Sequence, residues 1–375
     1  MLIGVPKEIK SDEYRIGLTP ESVESLTHSG HQVMIENNAG LGIGKDNDAY
    51  EESGAEIVQT REEIFQRAEM IVKVKEPQLE ECALLKSDQI LFTYLHLAPD
   101  PDQVKALIES GCRAIAYESV RADDGTYPLL TPMSEVAGRM AVQAGATCLE
   151  KVKGGLGRLI GGVTDVDPAD VVVIGGGVVG YNSIEIAIGM QANVTVLDKS
   201  PERLDQLESI FGEKLNAVLA TEENNQACIK EADIVIGAVL IPGASAPKLI
   251  SRELVQSMRK GSVLVDVAID QGGCSETSKP TTHSDPTYVE EGVLHYCVAN
   301  MPGAVPMTST YALNNATLPY VLSLANEGFN KALSLDKGFC DGLNIHNGKV
   351  TITAVAEEQG YDYHDPIELI RGLDQ

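Results

Sequence analysis

The stretch VVVIGGGVVG, residues 171–180, constrains the fold more than any other part of the chain. An apolar, β-branched run leads into three spaced glycines, and the helical pattern NSIEIAIGM follows. This order predicts a buried strand, a tight turn and a helix. Gly175 permits the turn, Gly177 lets the backbone approach a phosphate group, and Gly180 lets the helix pack closely on the strand.

An acidic residue downstream of this turn narrows the type of ligand. Asp198 ends the strand-like run NVTVLD, roughly twenty residues after the glycines, where a carboxylate can accept hydrogen bonds from an adenosine ribose. A 2′-phosphate would meet that negative charge, so the pattern favours NAD over NADP. The alternative is an ordinary strand-to-helix turn followed by a solvated aspartate. The agreement of strand, turn, helix and acid spacing favours the dinucleotide site.

Short apolar runs alternate with amphipathic stretches both before and after a central helical segment that starts near Ser134. This βα alternation predicts an α/β fold of two Rossmann-like domains with parallel sheets, linked by two long helices across a cleft. The second long helix follows Pro306, and the tail GLNIHNGKVTI is typical of a hairpin that returns to the first domain. We expect a substrate domain at 1–130 plus 307–375 and an NAD-binding domain at 131–306.

Composition excludes several classes of function. The formal charge of −26 repels nucleic-acid phosphates and anionic membrane surfaces. Seven scattered cysteines without CxxC or Cys/His spacing predict reduced thiols and no metal site. The chain contains no run of about 18 consecutive apolar residues, so we expect no membrane-spanning helix. Charged residues among the first ten exclude a secretory signal, so we expect a cytoplasmic protein.

Two lysines interrupt the strand-like run MIVKVKEP, residues 70–77. In a strand of period two, Lys73 and Lys75 share one face. For Lys73 the sequence favours a solvated face on an edge strand. Lys75 closes its strand at the carboxyl end, and His96 closes the next one, ILFTYLH, in the same way. Ligands bind outside the carboxyl ends of strands in open α/β sheets, so we expect Lys75 and His96 at one rim.

Two further residues fit a site for a small acid. Asp270 follows the run VLVDVAI, and Arg15, in EYRIGLTP, offers a planar fork suited to a carboxylate. Each also has a structural alternative: a surface ion pair for Arg15, a turn or helix cap for Asp270, and a structural histidine at 96. Two cations, a histidine suited to proton removal and a bound nicotinamide together indicate oxidation of a small hydroxy or amino acid.

The chain closely resembles the alanine dehydrogenase family over essentially its full length. The resemblance rests on IGVPKEIK, EYRIGLTP, VKVKEP, LFTYLHLAP, PMSEVAGRMAVQAGA, VVVIGGGVVG, IGAVLIPGA, VDVAIDQGGC and HYCVANMPGAVP. It implies NAD-dependent, reversible oxidative deamination of L-alanine to pyruvate and ammonium. It also implies a two-domain subunit that assembles as a homohexamer.

The resemblance further implies a role for each matching residue. Arg15 and Lys75 resemble carboxylate binders, with Lys75 also reaching the keto oxygen. His96 resembles the acid/base and Asp270 its catalytic partner. The implied cofactor contacts are Ser134, Gly175, Gly177, Val178, Val179, Gly180, Asp198, Val239, Leu240, Val298 and Asn300.

Two rival interpretations remain open at this point. One is the soluble dinucleotide-binding component of a proton-translocating transhydrogenase, which moves hydride between dinucleotides and needs no organic acid. The other is a non-catalytic protein that only binds NAD. The intact VKVKEP and YLHLAP segments favour an amino-acid site over both.

Overall fold

The computed structural model describes residues 1–239 and 246–371. The chain divides into two compact units, one of Met1–Met133 with Val305–Gln375 and one of Ser134–Ala304. Each unit is built on its own β-sheet covered by helices.

The strands are numbered in chain order and have the following bounds: β1 (Leu2–Val5), β2 (Gln32–Glu36), β3 (Glu56–Val58), β4 (Met70–Val72), β5 (Ile90–Thr93), β6 (Arg113–Ala116), β7 (Asp170–Ile174), β8 (Asn193–Asp198), β9 (Leu215–Leu219), β10 (Ile234–Gly237), β11 (Val263–Asp266), β12 (Thr287–Glu290), β13 (Val293–Tyr296), β14 (Leu343–His346) and β15 (Lys349–Val350). The α-helices are α1 (Pro20–His28), α2 (Asn47–Glu52), α3 (Arg61–Arg67), α4 (Leu79–Cys82), α5 (Pro101–Ser110), α6 (Thr131–Cys148), α7 (Val178–Gly189), α8 (Pro201–Phe211), α9 (Glu222–Glu231), α10 (Arg252–Ser257), α11 (Pro306–Glu327), α12 (Phe329–Leu335), α13 (Lys337–Cys340), α14 (Thr353–Gln359) and α15 (Pro366–Arg371).

The first unit contains an eight-stranded sheet in the order β15-β14-β6-β5-β4-β1-β2-β3. Strands β1 to β6 run parallel, and β14 pairs antiparallel with β6. The strand order reverses between β1 and β4, which is where open α/β sheets bind ligands. Segments that follow β1, β4 and β5 therefore meet at one rim of this sheet.

The second unit contains a seven-stranded sheet in the order β12-β13-β11-β10-β7-β8-β9, parallel except for β12 at its edge. Val171 and Val173 face one buried core of this unit, whereas Val172 and Ile174 face another. Burial on both faces explains why the strand reads as an unbroken apolar run. The predicted α/β fold with two Rossmann-like sheets is confirmed.

Local signals in the sequence predict several boundaries correctly. Thr19 caps α1 by accepting a hydrogen bond from the Ser22 N–H, and Pro20 is the first helical residue. The turn between β14 and β15 places Asn347 at φ 49° and Gly348 at φ 81°, the left-handed pair that a two-residue hairpin needs. No helix among residues 1–239 and 246–371 is long and apolar enough to span a membrane.

Candidate active site

Lys75 follows β4 and its side chain is almost fully covered, with 7% exposed. Its backbone N–H donates to Glu8 Oε1 at 3.4 Å, and its carbonyl accepts a hydrogen bond from the Thr93 hydroxyl at 2.8 Å. Among the described residues, the Lys75 ammonium enters no ion pair. The lysine is therefore fixed through its backbone, while its charge has no ion-pair partner within the described part of the chain.

Lys73 is fully buried, so the expected solvated edge strand is wrong. Strand β4 lies in the middle of its sheet, and both faces are covered. The Lys73 ammonium lies between two carboxylates, 3.0 Å from Glu8 Oε2 and 2.9 Å from Glu81 Oε1. Burial alone would lower the pKa of Lys73, but the charges of Glu8 and Glu81 outweigh it and raise that pKa. Its two acidic partners explain why a buried lysine is tolerated here.

His96 is exposed and has a left-handed backbone, with φ 49°. Its N–H donates to Glu118 Oε1 at 2.7 Å, and the Leu95 N–H donates to the same carboxylate. The imidazole stacks on the Tyr94 ring, with centroids 5.7 Å apart and planes 9° from parallel. A left-handed residue other than glycine costs free energy and persists only where neighbours hold it, as Glu118 does here.

Arg15 follows β1 and is buried, with 2% exposed. Its Nε and Nη2 groups donate to the two oxygens of Glu13 at 2.7 and 2.6 Å, and Nη1 lies 3.0 Å from the sulfur of Met133. Burial alone would lower the pKa of Arg15, but Glu13 raises it. Glu13 thus holds the plane of a guanidinium that stays charged.

Lys75 and His96 lie at the same rim because the pairing of β4 with β5 continues past both strands. The Tyr94 N–H donates to the Val74 carbonyl at 3.2 Å. Both site residues also act on Glu76: burial raises the pKa of this carboxylate, yet the charges of Lys75, Lys10 and His96 together lower it. This local geometry is consistent with the rim that the strand ends predict.

The glycine turn of the second unit has the geometry predicted from its spacing. Gly175 has φ 96°, and its N–H donates to the Leu197 carbonyl. A methyl group added at Gly180 would lie 1.8 Å from the Gly175 carbonyl oxygen, whereas one added at Gly177 would meet nothing within 4 Å. Gly180 is needed for packing inside the protein, and Gly177 leaves open space at the helix start. Val178 is exposed and Val179 is buried.

Asp198 ends β8 beside this turn. One carboxylate oxygen accepts the Gly176 N–H at 2.6 Å and the other accepts the Ser200 N–H at 2.9 Å. Arg203, which the sequence did not single out, donates from Nε to the Gly176 carbonyl at 2.7 Å. Asp198 therefore accepts from the N–H of Gly176, and Arg203 donates to the carbonyl of the same residue.

Asp270 lies in a 3₁₀ turn, Val267–Gln271, and does not end β11 itself. Its carboxylate is exposed and accepts the Asn300 N–H at 3.1 Å. Asn300 follows β13 and has φ 62°. Two residues that the sequence proposed separately are thus in direct contact.

The other expected cofactor residues lie on separate elements of the second unit. Ser134 is on α6 with 8% exposed, Val239 follows β10, and Val298 is buried after β13. Leu240 lies outside the described residues. No group of three or more His, Cys, Asp or Glu side chains placed to hold a metal ion occurs within residues 1–239 and 246–371.

Sequence reasoning missed the acidic residues that hold the site residues in place. They are Glu8 for Lys75, Glu13 for Arg15 and Glu118 for His96. The available signal was an acidic residue close to basic residues in a segment that also carries apolar ones, as Glu8 in IGVPKEIK and Glu13 in EYRIGL. Such a residue has to be paired if it is buried.

Comparison with known families identifies the family of the chain. Residues 4–137 match the model of the alanine dehydrogenase/PNT N-terminal domain, and residues 141–353 match that of the C-terminal domain. The chain belongs to the alanine dehydrogenase/PNT family. Within it, an alanine dehydrogenase of Halomonas elongata is 54% identical and covers 99% of this chain and 100% of its own length. One from Bacillus subtilis is 53% identical, with 97% and 96% covered.

Solved structures agree with this family assignment. An L-alanine dehydrogenase matches with a TM-score of 0.93 and 49% identity, covering 96% of this chain and 99% of its own. A transhydrogenase from Sinorhizobium meliloti matches with a TM-score of 0.81 over 94% of this chain and 100% of its own, at 24% identity. That second likeness shows a shared fold alone.

Proposed function

We propose that the chain catalyses the NAD-dependent, reversible oxidative deamination of L-alanine to pyruvate and ammonium. The observation that carries this proposal is the 54% identity to an alanine dehydrogenase over 99% of the chain. The reaction balances as L-alanine, NAD⁺ and water giving pyruvate, ammonium, NADH and a proton. Lys75, whose ammonium has no ion-pair partner among the described residues, supports a substrate that carries a carboxylate.

The second unit fits NAD. Gly177 leaves space at the start of α7, where the helix N-terminus favours a phosphate group. Asp198 supplies a carboxylate for the ribose and disfavours a 2′-phosphate. Ser134, Val239, Val298 and Asn300 complete the proposed contacts, and Leu240 is proposed on resemblance alone. When bound, the nicotinamide of NAD accepts or returns the hydride of the substrate Cα.

The first unit is proposed to bind the substrate. Lys75 and Arg15 bind its carboxylate, and Lys75 also polarises the keto oxygen of pyruvate. His96 takes the proton from the amine and, in the reverse direction, returns it. Asp270 is proposed as the partner of His96 in these proton transfers. On family resemblance alone, we also propose that the protein is cytoplasmic and assembles as a homohexamer.

The test is to mix the purified protein with L-alanine and NAD at alkaline pH and follow NADH. We expect NADH to form only when alanine is present, with pyruvate and ammonium produced in equal amounts. A transhydrogenase component would instead move hydride between dinucleotides without alanine, and a binding protein would bind NADH without turnover. Either result would overturn the proposed activity.

A further inference from the structure

The buried lysine at position 73 takes no part in the reaction proposed above, yet it lies two residues from Lys75. The Glu8 carboxylate joins the two. Its Oε2 atom accepts from the Lys73 ammonium at 3.0 Å. Its Oε1 atom accepts the backbone N–H of Val74 at 2.7 Å and of Lys75 at 3.4 Å. One carboxylate thus links a buried charge to the backbone of the residue proposed to bind substrate.

We propose that Glu8, oriented by Lys73, is a positioning residue that sets the location of Lys75 for substrate binding. The proposal rests on the proposed function, because it concerns the same carboxylate site. Glu8 bonds the backbone of Lys75 and not its ammonium. It can therefore fix the residue without neutralising the charge that a substrate carboxylate needs.

The hydrogen bonds of residues 73–75 make this role specific to Glu8. On one side, neighbouring β5 supplies partners: the Lys73 N–H donates to the Phe92 carbonyl, and Thr93 and Tyr94 bond the carbonyls of residues 75 and 74. On the other side, β1 pairs with β4 only at Met70 and Ile71. Beyond that point, Glu8 takes the place of the strand as the hydrogen-bond acceptor.

A role in stability alone is a poor explanation of this triad. Two carboxylates share one ammonium, and all three side chains are at most 2% exposed. Burial raises the pKa of Glu8, against the opposing charge of Lys73, so keeping this group ionised costs free energy. Apolar side chains of similar volume commonly stabilise a core as well as a buried ion pair does. The cost is consistent with a function for the ionised carboxylate.

Glu81 supplies a matched control. It is buried like Glu8 and accepts from the same ammonium at 2.9 Å. Its other oxygen accepts the Gln78 N–H at the start of α4, and it makes no hydrogen bond to residue 74 or 75. Glu8→Gln and Glu81→Gln therefore remove the same type of charge beside Lys73. Only Glu8→Gln also disturbs the group that accepts the backbone N–H of Lys75.

The experiment measures steady-state kinetics of pyruvate reduction with ammonium and NADH, together with NADH affinity and thermal stability. For Glu8→Gln we expect the KM for pyruvate to rise about tenfold or more, with a smaller change in kcat and unchanged NADH affinity. We expect the melting temperature to fall by a similar amount in both variants. For Glu81→Gln, however, the KM for pyruvate should stay within about twofold of the wild type.

Equal rises in KM for the two variants would show that the triad acts only through stability, and would overturn the proposal. If Glu8→Gln does not fold, Glu8→Asp replaces it, because it keeps the charge beside Lys73 and withdraws the oxygen from the backbone of residues 74 and 75. The same rise in KM is then expected, and a KM at the wild-type value would overturn the proposal. Absence of turnover in the wild type would instead refute the proposed function.

Discussion

The Glu118 carboxylate accepts the backbone N–H of His96 at 2.7 Å and thereby holds this residue in a left-handed conformation, with φ 49°. It also accepts the N–H of Leu95, so two consecutive amides converge on one anion. The direction of the imidazole is thus determined by a residue 22 positions further along the chain. Activity should depend on Glu118 although its hydrogen bonds go to the backbone of Leu95 and His96 and not to the imidazole.

We expect Glu118→Ala to lower kcat by about tenfold or more, because the left-handed turn loses its acceptor and the proton-transfer geometry at His96 relaxes. NADH affinity should not change. Steady-state kinetics and a fluorescence titration with NADH measure the two quantities. Glu118→Gln, which keeps one acceptor oxygen, is the matched control and should lose less activity. An alanine variant with wild-type kcat would contradict the role given to Glu118.

Lys75→Ala and His96→Ala are expected to bind NADH as the wild type does and to lose turnover. Removal of a general acid/base typically costs about 10²–10⁴-fold in rate. The Lys75 variant should in addition show a large rise in the KM for pyruvate, because its ammonium is proposed to bind the carboxylate. Alanine oxidation near the wild-type rate in either variant would remove that residue from the mechanism.

The two glycines at the start of α7 should respond to a methyl group in different ways. Gly180→Ala places a carbon 1.8 Å from the Gly175 carbonyl oxygen and should lower the melting temperature. Gly177→Ala meets no atom of the protein within 4 Å, and its φ of −66° suits any residue, so the melting temperature should hold while NADH affinity falls. Thermal melts and NADH titrations test both. A Gly177→Ala variant that binds NADH normally would contradict the proposed phosphate site.

Asp198 should determine the preference for NAD over NADP. Asp198→Ala removes the carboxylate that repels a 2′-phosphate, while Arg203 beside the same turn remains to attract it. We expect the ratio of kcat/KM for NAD to that for NADP to fall about tenfold or more. The Asp198 oxygens also accept the N–H groups of Gly176 and Ser200, so a loss of these bonds could change the local structure. Asp198→Asn, which keeps one acceptor oxygen, is the control for that effect. An unchanged ratio would contradict this assignment.

His346 should make the stability of the first unit depend on pH. Burial, with a contribution from the charge of Arg113, lowers the pKa of His346 to about 4. The unfolded chain takes up this proton near pH 6.5, so it binds more protons than the folded chain between about pH 6.5 and 4. The contribution of neutral His346 to the free energy of unfolding is therefore present above pH 6.5 and is lost as the pH falls through this window.

Chemical denaturation at pH 7 and pH 4.5 measures this effect. His346→Phe keeps a flat ring to stack on Phe329, where the imidazole now lies 5.7 Å away, but it cannot titrate. The free energy of unfolding should fall less between the two pH values in this variant than in the wild type. An identical fall in the two proteins would show that His346 does not contribute.

Much of the fold could be predicted because its signals are local. The glycine turn, the Thr19 cap and the Asn347–Gly348 hairpin each depend on backbone conformations that neighbouring residues specify. The spacing from the glycine turn to Asp198 reflects one βα unit, so it too can be predicted from the sequence. The rim shared by Lys75 and His96 followed from the rule that parallel strands present their carboxyl ends at one edge.

The sequence by itself determined the α/β class, the glycine turn and the strand ends that carry Lys75 and His96, since each arises from short-range periodicity. Only the tertiary structure decided that Lys73 is buried. Its partner Glu8 lies 65 residues away in the chain, and β4 becomes a central strand only when β1 and β5 pair on either side of it. Burial of a charge depends on what distant segments bring to it, and no local pattern encodes that.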